Sequence, residues 1–208
     1  AAALRKLRRR EMLRIAWRDL AGRAGLAVTM AELSRLADAC IAQALTRLYD
    51  WQCAECGAPL DARGLPQSLV VLGMGKLGAG ELNFSSDIDL VFAFPAAGET
   101  RGGPEPMDNH AFFVRLARRL ISVLGQPSAD GPMYRVDLRL RPFGENGPLV
   151  MSFDAMEEYY QEQGREWERY AWIKARTVAG DLAAGARLLA TLKPFVFRRY
   201  LDYGTIES

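Results

Sequence analysis

Hydrophobic positions in this chain keep a helical rhythm at both ends and a strand rhythm in the middle. Over residues 4–20, Leu13, Ala16, Trp17 and Leu20 recur at helical spacing, while Arg5, Lys6, Arg8, Arg9, Arg10, Arg14 and Arg18 crowd the remainder. A solvated face is the plain reading of those bases; contact with an acidic protein partner is the sharper one. A second helix is expected from Thr29, where Glu32 three residues on completes a capping-box pattern. Its apolar stripe, through Leu33, Ala37, Cys40, Ile41, Ala44, Leu45 and Leu48, runs to about Trp51. The loop from Gly57 to Pro66 then marks a boundary.

From Gln67 the rhythm changes. Leu69 to Leu72 is a short apolar run that stops in glycines, at 73, 75, 78 and 80, as a buried strand does on entering a tight turn. Asp87 to Phe94 alternates with period two: Ile88, Leu90, Phe92 and Phe94 face one way, Asp87 and Asp89 the other. Residues 134–141 alternate as well, Tyr134, Val136, Leu138 and Leu140 against Arg135, Asp137, Arg139 and Arg141. Between these strands, a Gly/Pro-rich connection (Pro95 to Pro106) leads to a helix over residues 108–125 with Phe112, Phe113, Leu116, Leu120, Ile121 and Leu124 inward. Ser152 caps a further helix that Gly164 ends. Residues 165–178 and 181–194 read as helices, and Phe195 to Ser208 as the start of another helical region. The expected class is α+β: a helical segment (1–66), a core with a small mixed sheet (67–150) and a truncated helical segment (151–208). A chain that opens on Ala1 and stops at Ser208 without a closing signal reads as a fragment of a longer protein.

Composition narrows the partners. A net charge of +2 and no base-stacking aromatics among the basic runs argue against nucleic acid. No apolar run approaches the roughly 18 residues of a membrane span, and no signal peptide is present. With three cysteines and one histidine, Cys53-x-x-Cys56 lacks the ligands for a zinc site, and the thiols are expected reduced in a cytoplasmic protein. His110 reads as a surface residue at a helix start.

The candidate chemistry lies on the two alternating strands. Asp87 and Asp89, on one face, resist joint ionisation unless positive charge sits between them. A hard divalent cation, Mg²⁺ or Mn²⁺, suits their oxygens. Asp137 becomes a third carboxylate if its strand lies alongside; a solvated surface strand is the other reading of residues 134–141. Lys76, Arg139 and Arg141 offer charge to phosphates, and the N–H groups around Gly75 and Gly78, with the Ser85 and Ser86 hydroxyls, offer hydrogen bonds. This is equipment for in-line phosphoryl or nucleotidyl transfer. Gly73 to Gly78 also fits G-x-G-x-x-G, but that fingerprint needs its acidic residue about 20 positions on, at a strand's end. Here the acids come sooner and open the strand. A P-loop fails because Leu77 follows Gly75-Lys76 and Val70 stands where the first glycine belongs. A dinucleotide oxidoreductase therefore rests on the glycines alone, and a nucleotide-sensing module without chemistry is the other competitor.

Gly-Met-Gly-Lys-Leu-Gly followed by Glu81-Leu-Asn-Phe-Ser-Ser-Asp-Ile-Asp-Leu90 resembles the signature of glutamine synthetase adenylyltransferases. So do Asp137-Leu-Arg-Leu-Arg-Pro-Phe-Gly144 and Glu166-Trp-Glu-Arg-Tyr-Ala171 with Lys174-Ala-Arg176, in order and without gaps inside the blocks. The resemblance implies a nucleotidyltransferase fold of the DNA-polymerase-β kind, a metal on Asp87, Asp89 and Asp137, and Lys174 and Arg176 near nucleotide or phosphate. It implies glutamine synthetase as protein substrate, ATP, ADP and phosphate as ligands, and a PII-type signal protein as regulator of the full-length enzyme. Members carry an adenylyl-removing half and an adenylylating half. Asn83 to Asp89, Arg141-Pro-Phe-Gly144 and Gln161 to Arg165 look more like the removing half, where AMP leaves a tyrosine by phosphorolysis as ADP.

Overall fold

The computed structural model describes residues 2–127 and 131–197. Helices α1 (Ala2–Leu20) and α2 (Leu26–Cys56) open the chain. α2 starts ahead of Thr29, with Gly25 at its N-cap and no side-chain cap. Thr29 is instead buried and donates to Asp19 Oδ1 of α1 at 2.9 Å, and Glu32 pairs with Arg14 and Arg18. The expected capping box is thus replaced by bonds between two helices.

The expected inner stripe of α1 is also corrected. Ile15 is its buried residue, while Leu13, Trp17 and Leu20 are 65, 70 and 86% exposed. Two of the bases face inward in their place: Arg5 Nη2 donates to the carbonyls of Val123 (3.3 Å) and Gln126 (3.1 Å), and Arg8 lies 4.5 Å over the Tyr134 ring. An arginine stem covers apolar surface while its head satisfies carbonyls at a helix end, so hydrophobic spacing alone does not reveal it.

The central sheet holds β2 (Val70–Gly73), β3 (Ile88–Phe94), β5 (Val136–Asp137), β6 (Val150–Ser152) and β7 (Arg176–Gly180). β2 runs antiparallel along one edge of β3; β5 and then β6 run parallel along the other. Residues 138–149 loop out between them. β7 closes the free edge of β2, antiparallel. The helix expected over residues 165–178 therefore ends early, as α6 (Glu166–Ile173), and the chain becomes a strand. β2 is fully buried, so its edge groups need partners, and Thr177-Val178 suits a strand. The strand expected over residues 134–141 shrinks to Val136–Asp137. Asp137 Oδ1 accepts the Arg139 N–H at 2.8 Å, and this local bond turns the chain out of the sheet. A separate two-stranded sheet pairs β1 (Ala58–Asp61) with β4 (Gly98–Arg101), both from segments expected as loops.

Helices cover both faces of the central sheet. On one, Leu69, Val71, Ile88, Leu90, Phe92 and Phe94 pack against α2 and α4 (Asn109–Gly125). On the other, Val70, Leu72, Val91 and Ala93 pack with residues of α5 (Phe153–Glu162), α6 and α7 (Leu182–Val196). This is the expected α+β class, a small mixed sheet flanked by helices. The helical region expected from Phe195 lies, past Phe197, outside the described residues. Among the described residues, no helix is long and apolar enough to cross a membrane.

Candidate active site

The acidic strand residues meet where β3 begins. Parallel pairing of β3 with β5 sets Ile88 opposite Val136 and Asp89 opposite Asp137, with Asp87 just before the strand. Asp89 is on the face that Val91 and Ala93 bury further along, but it precedes the helical cover. The glycine turn reaches it from β2: Met74 N–H donates to the Asp89 carbonyl at 2.9 Å. Gly75 has φ 52°, and a Cβ there would stand 2.8 Å from Asp89 Oδ2. A glycine is therefore needed for the turn to lie against that carboxylate.

Charge crowds at Asp89. Burial, then the carboxylates of Asp137 and Asp87, push its pKa up from the usual value. Asp137 is pushed the other way, first by its hydrogen bonds to the Arg139 side chain. Arg139 grips both Asp137 oxygens, Nε at 3.1 and 2.8 Å. Asp87 Oδ1 accepts from Arg135 Nε at 2.5 Å, and Arg135 Nη2 reaches the Ser85 carbonyl at 3.2 Å. Arg135 was not singled out in the sequence, although it lies on the same alternating polar face. Asp87, Asp137, Arg139, Arg141 and Glu145 line an open cleft of about 330 Å³. A larger cavity of about 670 Å³ lies among α1, α2 and α4; its lining is mainly apolar, with Gln43 and Arg47, and holds none of these carboxylates.

The other expected residues divide. Lys76 is exposed and has no ion pair among the described residues. The Ser85 and Ser86 hydroxyls turn to Asn83 Oδ1, at 3.3 and 2.7 Å, so Asn83 organises that loop. Arg141 holds its own turn through the carbonyls of Leu138, Glu145 and Gly147 at 2.9, 2.7 and 3.3 Å. Lys174 pairs with Glu81 at 2.8 Å. Arg176 is a brace: it pairs with Asp38 of α2 at 2.8 Å and donates to the carbonyls of Leu77 and Gly78. Gly78 serves packing, since a Cβ would lie 2.0 Å from the Lys174 carbonyl oxygen. The helix that follows the glycine turn, α3 (Gly75–Ala79), is too short for a sizeable dipole.

Three adjacent carboxylates with oxygen-only donors fit a hard cation in chemistry. As they stand, two are turned to arginines, and no group of three or more His, Cys, Asp or Glu among the described residues could hold a metal ion.

A family model described as glutamate-ammonia ligase adenylyltransferase matches residues 1–191. Bifunctional glutamine synthetase adenylyltransferase/adenylyl-removing enzymes of Nitrosococcus oceani, Thioalkalivibrio sulfidiphilus and Pseudomonas aeruginosa are 61, 60 and 58% identical over 99% of this chain. The chain spans 21% of the length of each.

Proposed function

The chain belongs to the glutamate-ammonia ligase adenylyltransferase family, and from that premise we propose that it is a nucleotidyltransferase domain that removes AMP from a tyrosine of glutamine synthetase. The observation that carries the reading is the register of β3 on β5, which sets Asp89 beside Asp137 with Asp87 two positions away. Asp87, Asp89 and Asp137 would hold Mg²⁺ or Mn²⁺, which when bound neutralises phosphate charge and polarises the phosphorus–oxygen bonds. Lys76 and Arg139 face the anionic groups, while Arg141 and Arg176 hold the backbone around them. A phosphate oxygen attacks the α-phosphorus of AMP-tyrosine in line. The phosphorus–tyrosine oxygen bond breaks, ADP departs, and the tyrosine oxygen takes a proton from solvent. The motif forms from Asn83 to Asp89 and from Arg141 to Gly144 support the removing half. The partners of the full-length protein would include ATP, ADP and a PII-type signal protein, in the cytoplasm.

Product analysis tests this directly. Adenylylated glutamine synthetase, phosphate and Mg²⁺ should give ADP and free tyrosine, and Asp89→Asn should abolish both. Pyrophosphate from ATP and unmodified glutamine synthetase would assign the adenylylating half instead. Turnover in neither reaction would overturn catalysis by this chain.

A further inference from the structure

The two arginines at the acidic site are held differently. Arg139 grips both oxygens of Asp137 from two residues away, and the Asp137 side chain is only 14% exposed. Arg135 touches one oxygen of Asp87, and the Arg135 and Asp87 side chains are 72 and 41% exposed. Exposed pairs of this kind hold weakly. The free Asp87 oxygen leaves a place for a cation, and a cation there would set a second positive charge beside the guanidinium. The Arg135 head spans from Asp87 to the Ser85 carbonyl, beside the cleft that Asp137 and Arg139 line. A planar guanidinium released at that point matches a phosphate group.

We propose that Arg135 is an anion-binding residue that Asp87 withholds until a cation takes the carboxylate. Arg135 then exchanges Asp87 for a phosphate oxygen. Phosphate binding and cation binding are thereby coupled through one side chain, and Asp87 has two partners in turn. The coupling rests on the cation reading given above; the withholding itself needs no metal.

The test is calorimetric titration of inorganic phosphate into the 208-residue chain and its variants, first in chelator and then with saturating Mg²⁺. Circular dichroism melts would confirm that each variant is folded. In chelator, Asp87→Asn should tighten phosphate binding about twofold to fivefold, the scale of one exposed ion pair. Adding Arg135→Gln to that variant should remove the gain. Arg135→Gln alone should change binding less than about twofold in chelator, yet weaken it about tenfold with Mg²⁺, as loss of one charged hydrogen bond does. The proposal is overturned if Asp87→Asn gives the same gain without Arg135, because removal of negative charge would then suffice. Equal weakening by Arg135→Gln with and without Mg²⁺, or no phosphate binding by Asp87→Asn, would also overturn it. Wild-type chain that binds no Mg²⁺ would refute the cation reading separately, leaving the metal-free cycle to decide whether Asp87 withholds Arg135.

Discussion

Tyr159→Phe removes one oxygen from a buried chain of hydrogen bonds. The Phe143 N–H donates to the Tyr159 hydroxyl at 3.2 Å, which donates to the Glu168 carboxylate at 2.9 and 3.1 Å. Glu168 is 1% exposed, and its other near partner is the Arg165 N–H at 2.9 Å. The variant forfeits a bond to a buried charge, about 1.5–3 kcal/mol, and strips the Phe143 N–H of its acceptor, about 1 kcal/mol where water can reach it. A loss of about 2–4 kcal/mol follows. Phe143 has φ 62°, a costly conformation for a side chain of its size, and the hydroxyl helps to fix it. Urea unfolding at pH 7 reads the loss: at about 2–3 kcal/mol per molar urea, the midpoint should fall by about 1 M. Glu168→Gln, which keeps the shape and removes the charge, should lose less. A Tyr159→Phe midpoint within about 0.2 M of wild type would refute the claim that this hydroxyl anchors the loop that carries Arg139 and Arg141.

Gly78→Ala should cost about 3 kcal/mol, the upper end for overpacking, because its Cβ would meet backbone oxygens of Lys174 and Gly73 at 2.0 and 2.5 Å. Phosphate affinity of the protein that still folds should be unchanged, and a selective loss of affinity would contradict the packing role. Arg176→Met should destabilise by about 2–4 kcal/mol, since Asp38 and two carbonyls lose their donor; a thermal melt equal to wild type would refute the brace. Asp61 is held below the usual carboxylate range, chiefly by the Leu65 N–H at 2.8 Å. Its stabilisation is present above the unfolded value near 3.8 and is lost as pH falls through the lower folded value. Asp61→Asn should therefore differ from wild type at pH 6 and converge with it as pH falls through the lowered folded value; a gap that persists in strong acid would refute the ionic origin.

The sheet's centre was legible because β2 and β3 are short apolar runs with sharp ends, and their acids and glycines sit at those ends. The switch from α6 to β7 was not, because Arg165 to Val178 keeps an acceptable helical spacing; the need comes from the open edge of β2, which no local pattern encodes. Tyr134 to Arg141 misled in the opposite sense, since perfect alternation gave way to one side chain's grip on the Arg139 N–H. At the site, the carboxylates could be placed on strands from period alone. The arginines could not be sorted, because a basic residue that braces carbonyls, such as Arg176, looks in sequence like one that meets phosphate.

The shared edge of β3 makes the cleft a replaceable part. Both ends of residues 138–149 are fixed to the same strand, one beside Asp89 and the other beside Phe92, roughly 10 Å apart by strand rise. A segment that bridges that gap and keeps the Arg139 contacts to Asp137 would leave the acids in place, because their backbone register is set by β3 and β5. If the proposed reaction holds, the residues that meet the incoming group would change by exchange of one cassette while the acidic scaffold stays as it is.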